Sequence, residues 1–324
     1  MILNQPHVSR IPPVPEPPAR PLWSVMIPTF NCGRFLSEAI ASVLAQAPSP
    51  DTMQIEVIDD HSTIDDPEKI AEEVGGGRVG FFRQTAKVGH IKNFETCLQR
   101  ARGNLVHLLH GDDYVRRGFY DAMERAFAKI PEAGAAFCRS ILIDEQGNQL
   151  SFTSCLQDNS SLLQDAVLHL AAEQHIMTPS IVVRRSVYEN LGAFDERLVC
   201  GEDWEMWVRI AAHYPVWFEP EPLAAYRMHR DSHTGRHVRT GEDTRHIHLA
   251  IDIMASYLPS SVAETLSRRA KETYARSAFD TAIALLMQRD FTGGMAVAKE
   301  AFRLSRSLSV LLYAARRSAK TLLS

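Results

Sequence analysis

Short apolar stretches alternate with helical-period stretches over the first half of the chain, and acid pairs sit where two of the apolar stretches end. Trp23-Ser24-Val25-Met26-Ile27 reads as a strand closed by Pro28, followed from about 33 to 46 by helical spacing of Leu36, Ile40, Val43 and Leu44. Ile55-Glu56-Val57-Ile58 is a second strand and runs into Asp59-Asp60. A helix over 67–74, a strand over 79–82, a helix over 93–101 and the apolar strand 105–109 follow, then His110-Gly111-Asp112-Asp113. Strands alternating with helices imply a largely parallel sheet flanked by helices. In such sheets ligands gather beyond the carboxyl ends of the strands, where both acid pairs fall.

Further on, the spacing predicts a helix over 119–129, a strand over 135–143, a polar turn over 144–149, a strand over 180–184 and helices over 186–191 and 202–213. After about 241 nearly every residue is a good helix former, with turns expected at Pro259 and at Gly293-Gly294. The expected organisation is therefore a proline-rich flexible arm over 1–21 (Pro12, Pro13, Pro15, Pro17, Pro18, Pro21), an α/β domain over 22–243 and a C-terminal helical module over 244–324.

Composition excludes several classes. A formal net charge of −4 over 324 residues gives no cause to expect nucleic acid. The 5 cysteines are odd in number and scattered, which points to a reducing compartment. The first residues lack a secretory apolar core, and no stretch is apolar for the roughly 18 residues a membrane span needs. A cytoplasmic protein is expected. From Lys299 onward, Glu300 is the one acid against Arg303, Arg306, Arg316, Arg317 and Lys320, so peripheral contact with an anionic inner membrane face is a further expectation.

Two adjacent carboxylates at a strand end repel each other unless a cation or donors lie nearby, and a hard divalent cation with a diphosphate would answer that need. Glu202-Asp203-Trp204-Glu205-Met206-Trp207 places acids on the first turn of a helix, where the dipole favours them. Tyr226-Arg227-Met228-His229 puts a cation and an imidazole after an apolar run. Each cluster has a plainer reading, as a turn, a helix start or a solvated loop; their order and spacing together are specific.

From about Trp23 to His233 the chain resembles the inverting family 2 glycosyltransferases. The resemblance is carried by Val25-Met26-Ile27-Pro28-Thr29-Phe30-Asn31, Val57-Ile58-Asp59-Asp60-His61-Ser62, Leu109-His110-Gly111-Asp112-Asp113, Gly192-Ala193-Phe194-Asp195-Glu196, Gly201-Glu202-Asp203-Trp204-Glu205-Met206-Trp207 and Tyr226-Arg227-Met228-His229. It implies the GT-A fold of nucleotide-diphospho-sugar transferases and transfer of a hexosyl group from such a donor to an acceptor hydroxyl, in polysaccharide or glycolipid synthesis. It also implies roles. Pro28, Thr29, Phe30 and Asn31 form the nucleotide-contacting edge, and Asp60, with Asp59, accepts from the base. Of Asp112 and Asp113, one faces the ribose and the other a divalent cation, Mg or Mn. Asp203 is the general base, with Glu202 beside it on the substrate. Trp207, one helical turn on, is either a wall for a sugar ring or core packing. His229 joins the metal or diphosphate, and Arg227 is a second diphosphate partner. The chain departs from the family pattern at His110, where many members have an acid, so which carboxylate meets the metal directly stays open.

Rival motifs carry less. Gly75-Gly76-Gly77-Arg78-Val79-Gly80 follows a helix and precedes a strand, the reverse of a dinucleotide-binding turn. His229, His233 and His237 have helical metal spacing, but Asp231, Ser232 and Gly235 between them favour a loop. Asn159-Ser160-Ser161 is a glycosylation sequon without a secretory signal. A nucleotidyltransferase on the same fold would need a richer phosphate loop than Asn31-Cys32-Gly33-Arg34. A non-catalytic sugar-nucleotide-binding or scaffold protein would have no use for Asp60, Asp112, Asp113 and Asp203 together.

Overall fold

The computed structural model describes residues 7–15, 20–229 and 237–322. In chain order its elements are β1 (Trp23–Thr29), α1 (Gly33–Leu44), β2 (Met53–Asp59), α2 (Pro67–Gly75), β3 (Gly80–Arg83), α3 (His90–Arg100), β4 (Leu105–Leu108), β5 (Tyr114–Val115) and α4 (Phe119–Lys129). Then come β6 (Ala135–Ile143), β7 (Gln149–Phe152), β8 (Ser161–Leu162), α5 (Ala166–Leu170), β9 (Ile181–Arg184), α6 (Arg185–Leu191), α7 (Glu202–Ala211) and β10 (Val216–Arg227). The last four helices are α8 (Glu242–Tyr257), α9 (Ser260–Met287), α10 (Phe291–Leu304) and α11 (Leu308–Leu322). The chain divides into two compact units. The first comprises residues up to Ala166 with His175–Glu196 and Arg209–Arg227; the second comprises Val167–Gln174, Arg197–Val208 and Met228 onward.

The first unit is a mixed α/β layer with strand order β3-β2-β1-β4-β9-β6-β10-β5. β3, β2, β1 and β4 run parallel, as the strand–helix alternation requires. All seven residues of β1 are buried, which is why its apolar run is continuous instead of alternating. Pro28 does not close β1 as expected; the strand continues through it to Thr29, paired with Asp59. The break in pattern is β9, which enters antiparallel between β4 and β6. The core lies under β1, where Leu36, Ile40 and Val43 of α1 pack with Val25, Ile27 and Val57. Each fully buried aliphatic contributes about 1.5–3 kcal/mol.

The proline-rich arm, expected to be flexible, is tied down over its described part. Ala193 N donates to Ser9 O at 2.8 Å and Glu196 N to His7 O at 2.9 Å. The buried guanidinium of Arg185 donates to Pro12 O at 3.0 Å, and Ile11 is buried. Residues 1–6 and 16–19 of the arm lie outside the described residues.

In the second unit the helices α8 to α11 pack on one another, with Phe279 meeting Phe302 edge-on at 4.8 Å. The expected turn at Gly293-Gly294 is displaced. Both glycines lie in the first turn of α10, and the chain reverses over 288–290, with Arg289 left-handed at φ 62. The Asp290 carboxylate accepts from Gly293 N at 3.0 Å and caps the helix. A Cβ on Gly294 would lie 2.6 Å from Leu286 Cγ, so this glycine serves close helix approach, not chain reversal. Among the described residues no helix is long and apolar enough to cross a membrane, and the 5 cysteines are free thiols.

Candidate active site

β1 and β2 end side by side, and their loops are laced together. Asn31 is left-handed at φ 53, and its side-chain oxygen accepts from Thr63 N at 2.8 Å while its own N–H donates to Ser62 Oγ at 2.8 Å. Asp59 is wholly buried. It accepts from Ser62 N at 3.1 Å, from Ser62 Oγ at 2.5 Å and from Arg83 Nε at 2.8 Å. Its carboxylate thus holds the loop after β2 to β3. Asp60 turns the other way: Oδ1 accepts from Val88 N at 2.7 Å and Oδ2 from Gly89 N at 2.9 Å. Burial raises the Asp60 carboxyl above its usual range, against the opposing pull of those two N–H groups and Lys87. Each oxygen keeps a lone pair for a further donor. Thr29 Oγ1 lies 2.8 Å from Cys32 Sγ, and Lys87 Nζ sits 4.1 Å over the Phe30 ring.

The loop after β4 is held against β1 by Gly111 N donating to Pro28 O at 3.1 Å. A Cβ on Gly111 would lie 2.8 Å from Cys32 Sγ, so only glycine lets this loop approach. Beyond it, Asp112 is half-buried and Asp113 is 2% exposed. Arg227, the last residue of β10, secures both. Its N–H donates to Asp113 Oδ1 at 2.8 Å and its Nε to Asp112 O at 2.9 Å. The remaining guanidinium nitrogens donate to Asp144 O, Glu145 O and Glu38, and the group stacks 4.5 Å over Phe35. Arg227 is 3% exposed, so its donors are committed to the protein.

Asp113 Oδ2 is buried, and among the described residues nothing donates a hydrogen bond to it. Burial, then the neighbouring Asp112, push this carboxyl well above its usual range; Arg227 opposes them. A buried oxygen without a donor costs about 1–3 kcal/mol unless something compensates it. One donor atom each from His110, Asp112 and Asp113 lie within 4.8 Å of one another. Oxygen donors of this kind suit a divalent cation, so these residues fit one.

Among the residues singled out from sequence, Pro28, Thr29, Phe30, Asn31, Asp59, Asp60, Asp112, Asp113 and Arg227 belong to the first unit; Glu202, Asp203, Trp207 and His229 belong to the second. Asp203 lies in the first turn of α7, and its Oδ2 accepts from Gln174 Nε2 at 2.8 Å. Trp204 beside it donates from its indole to Leu170 O at 2.6 Å and packs on Tyr274 at 4.9 Å. Trp207 and Glu202 are both buried. Residues 230–236, His233 among them, lie outside the described residues. Sequence reasoning passed over Arg83, Gln174 and the ligand potential of His110; for His110, the departure from the family's acidic pattern was the available signal.

The family model for glycosyl transferase family 2 matches residues 24–191, more than half of the chain. The chain belongs to glycosyl transferase family 2. This glycosyltransferase is 31% identical, over 69% of its length and 72% of the relative's, to an uncharacterized protein of Mycobacterium tuberculosis. It is 26% identical to an uncharacterized glycosyltransferase of Rickettsia typhi, over 64% of each chain. In three dimensions it is similar to residues 1–349 of S. aureus TarS, whose structure holds UDP-GlcNAc, with a TM-score of 0.62, 16% identity and coverage of 77% and 70%. It is also similar to the mannosyltransferase PcManGT of Pyrobaculum calidifontis, solved with GDP-Man and Mn2+, with a TM-score of 0.60, 17% identity and coverage of 96% and 83%. At such identities the likeness shows the fold, which is GT-A.

Proposed function

We propose that this glycosyltransferase is a metal-dependent, inverting enzyme that moves a hexosyl group from a nucleotide-diphosphate sugar to an acceptor hydroxyl. The observation that carries the reading is the buried Asp113 carboxylate beside Asp112, at the carboxyl end of the parallel strands, whose Oδ2 has no hydrogen-bond donor among the described residues. The nucleotide sugars bound by TarS and by the mannosyltransferase, and the Mn2+ of the latter, support it.

In this reading Pro28, Thr29, Phe30 and Asn31 line the nucleotide edge, and Asp60 offers its remaining lone pairs to the base. Asp59 acts on that edge indirectly, through Ser62 and Arg83. Asp112 and Asp113 would hold the divalent cation, Mg or Mn, with His229 as a partner of the metal or diphosphate. Bound there, a cation would neutralise charge on the departing diphosphate. Arg227 keeps the two carboxylates in place. Asp203 takes the proton from the acceptor hydroxyl as that oxygen attacks the anomeric carbon, and the sugar inverts because nucleophile and leaving group occupy opposite faces. Gln174 holds the Asp203 carboxylate, Glu202 is a substrate contact beside it, and Trp207 is either a wall for a sugar ring or core packing.

The catalytic domain is proposed to span 22–243 and the helical module 244–324. The acceptor is a glycan or glycolipid of cell-surface polysaccharide synthesis, reached from the cytoplasmic side. Exposed Leu308, Leu311 and Leu312 share α11 with exposed Arg316, the pattern of an interfacial helix on an anionic membrane. Liposome co-sedimentation unchanged by deleting residues 303–324 would remove the membrane part of the reading.

The primary test is a thermal-shift screen of UDP-, GDP-, TDP- and CMP-sugars, with and without Mn2+, on the wild type and Asp112→Ala. A metal-dependent shift with one nucleotide class, lost in the variant, is the expected result. Binding without donor hydrolysis would favour the scaffold reading, and no shift with any donor would defeat the proposal.

A further inference from the structure

We propose that His110 is a protein ligand of the cation site beside Asp112 and Asp113 and that its imidazole tilts the site toward manganese over magnesium. The inference rests on the metal-dependent reading above but concerns a different residue. His110 ends the run from β4, three residues before Asp113, and its ring is not free to swing. It stacks on Phe94 with ring centres 5.2 Å apart and planes within 16°. Phe94 is itself braced by Phe194 at 5.4 Å and by His90, edge-on, at 5.6 Å. So held, His110 Nδ1 lies 3.7 Å from Asp113 Oδ2.

That separation is too long for a hydrogen bond. It does fall inside the roughly 4.2 Å that can separate two donors bound to one cation at about 2.1 Å each. Asp113 Oδ2, the atom facing the ring, is the buried oxygen that has no hydrogen-bond donor among the described residues. The two atoms therefore stand as a pair of donors with a gap of cation size between them. Asp112 completes the cluster.

Chemistry then distinguishes the ions. Magnesium demands a near-ideal oxygen octahedron and dehydrates reluctantly, whereas manganese, which also favours oxygen, is a first-row transition ion and takes an imidazole more readily than magnesium does. Exchanging a carboxylate for a neutral imidazole also removes one negative charge from the site, which weakens its hold on a hard ion most. A His/Asp/Asp set should thus hold Mn2+ at magnesium concentrations that would empty an all-carboxylate set.

The test uses the full chain and titrates Mn2+ by the EPR signal of the free aquo ion, with and without UDP. Mg2+ competition and spin-echo modulation from a directly bound nitrogen are read on the same samples. Wild type, His110→Asp and His110→Asn are compared after circular dichroism confirms folding. Nitrogen modulation in the wild type that both variants lose, with the Mn2+-over-Mg2+ preference falling about tenfold or more in His110→Asp, is the expected result. The wild-type spectrum needs no variant: Mn2+ bound without nitrogen modulation overturns the inference while leaving the metal-dependent reading standing. Modulation that persists in the variants, or an unchanged ion preference, overturns it likewise. Failure of the wild type to bind Mn2+ in either condition removes both.

Discussion

The backbone N–H of Arg227 donates to Asp113 Oδ1 at 2.8 Å, across 114 residues of chain. The last residue of β10 therefore sets the position of a carboxylate that follows β4. Arg227→Ala would strip donors from Asp112 O, Asp144 O, Glu145 O and Glu38 together. A loss of about 2–4 kcal/mol in urea unfolding is expected, together with weaker Mn2+ binding. Arg227→Lys should recover little, because one ammonium does not reproduce a planar fork.

Asp113→Asn separates stability from function. The amide oxygen can still accept from Arg227 N, while the buried charge beside Asp112 disappears. Without metal the variant should unfold at an equal or higher temperature than the wild type, yet transfer sugar at least about 100-fold more slowly. A variant that is active, or markedly less stable, would count against the proposed metal role.

Asp203→Asn keeps the contact with Gln174 in shape but removes the base. The expected outcome is a fall of about 10²–10⁴ in kcat with donor affinity by calorimetry unchanged. Loss of donor binding instead would reassign Asp203 to the donor site.

His107 gives the first unit an acid-sensitive element. Its Nε2 lies 3.0 Å from Pro179 O and its Nδ1 3.2 Å from Tyr120 Oη. With Nε2–H donating and Nδ1 accepting, both are satisfied by the neutral ring. Burial lowers its pKa from 6.5 to about 4. Between those values the unfolded chain takes up a proton that the folded chain refuses, so stability falls as pH drops through this window and is fully present above it. The total is on the order of 3 kcal/mol. Unfolding free energies measured from pH 7 down to 4 should show this slope in the wild type and a flatter one in His107→Gln.

Gly111→Ala would place a methyl 2.8 Å from Cys32 Sγ and 3.0 Å from Thr29 Oγ1. A cost of about 1–3 kcal/mol is expected, with reduced donor affinity because the Asp112-Asp113 loop is pushed off β1. Cys32→Ala in the same chain should relieve part of both effects, measured as a double-mutant cycle.

The elements of the parallel half, the helix Phe119–Lys129, the strand Ala135–Ile143 and the acid pairs at strand ends are all legible in the amino-acid sequence, because they follow from local periodicity and from the cost of adjacent charges. Contacts between distant residues are not. Nothing near Ile181 marks β9 as antiparallel, since an apolar strand reads the same in either direction. Asp59 looks as available as Asp60 until Arg83, 24 residues on, is seen to occupy it. From sequence Arg227 reads as a cation in a solvated loop or, by the family resemblance, as a diphosphate partner, and only the folded chain shows it buried against Asp112. Gly293 and Gly294 read as a turn, and only the packing of α10 on Leu286 shows that they belong inside a helix. Composition and spacing carry the information for elements a few residues long; which atoms of those elements meet depends on the path of the whole chain, which no local pattern encodes.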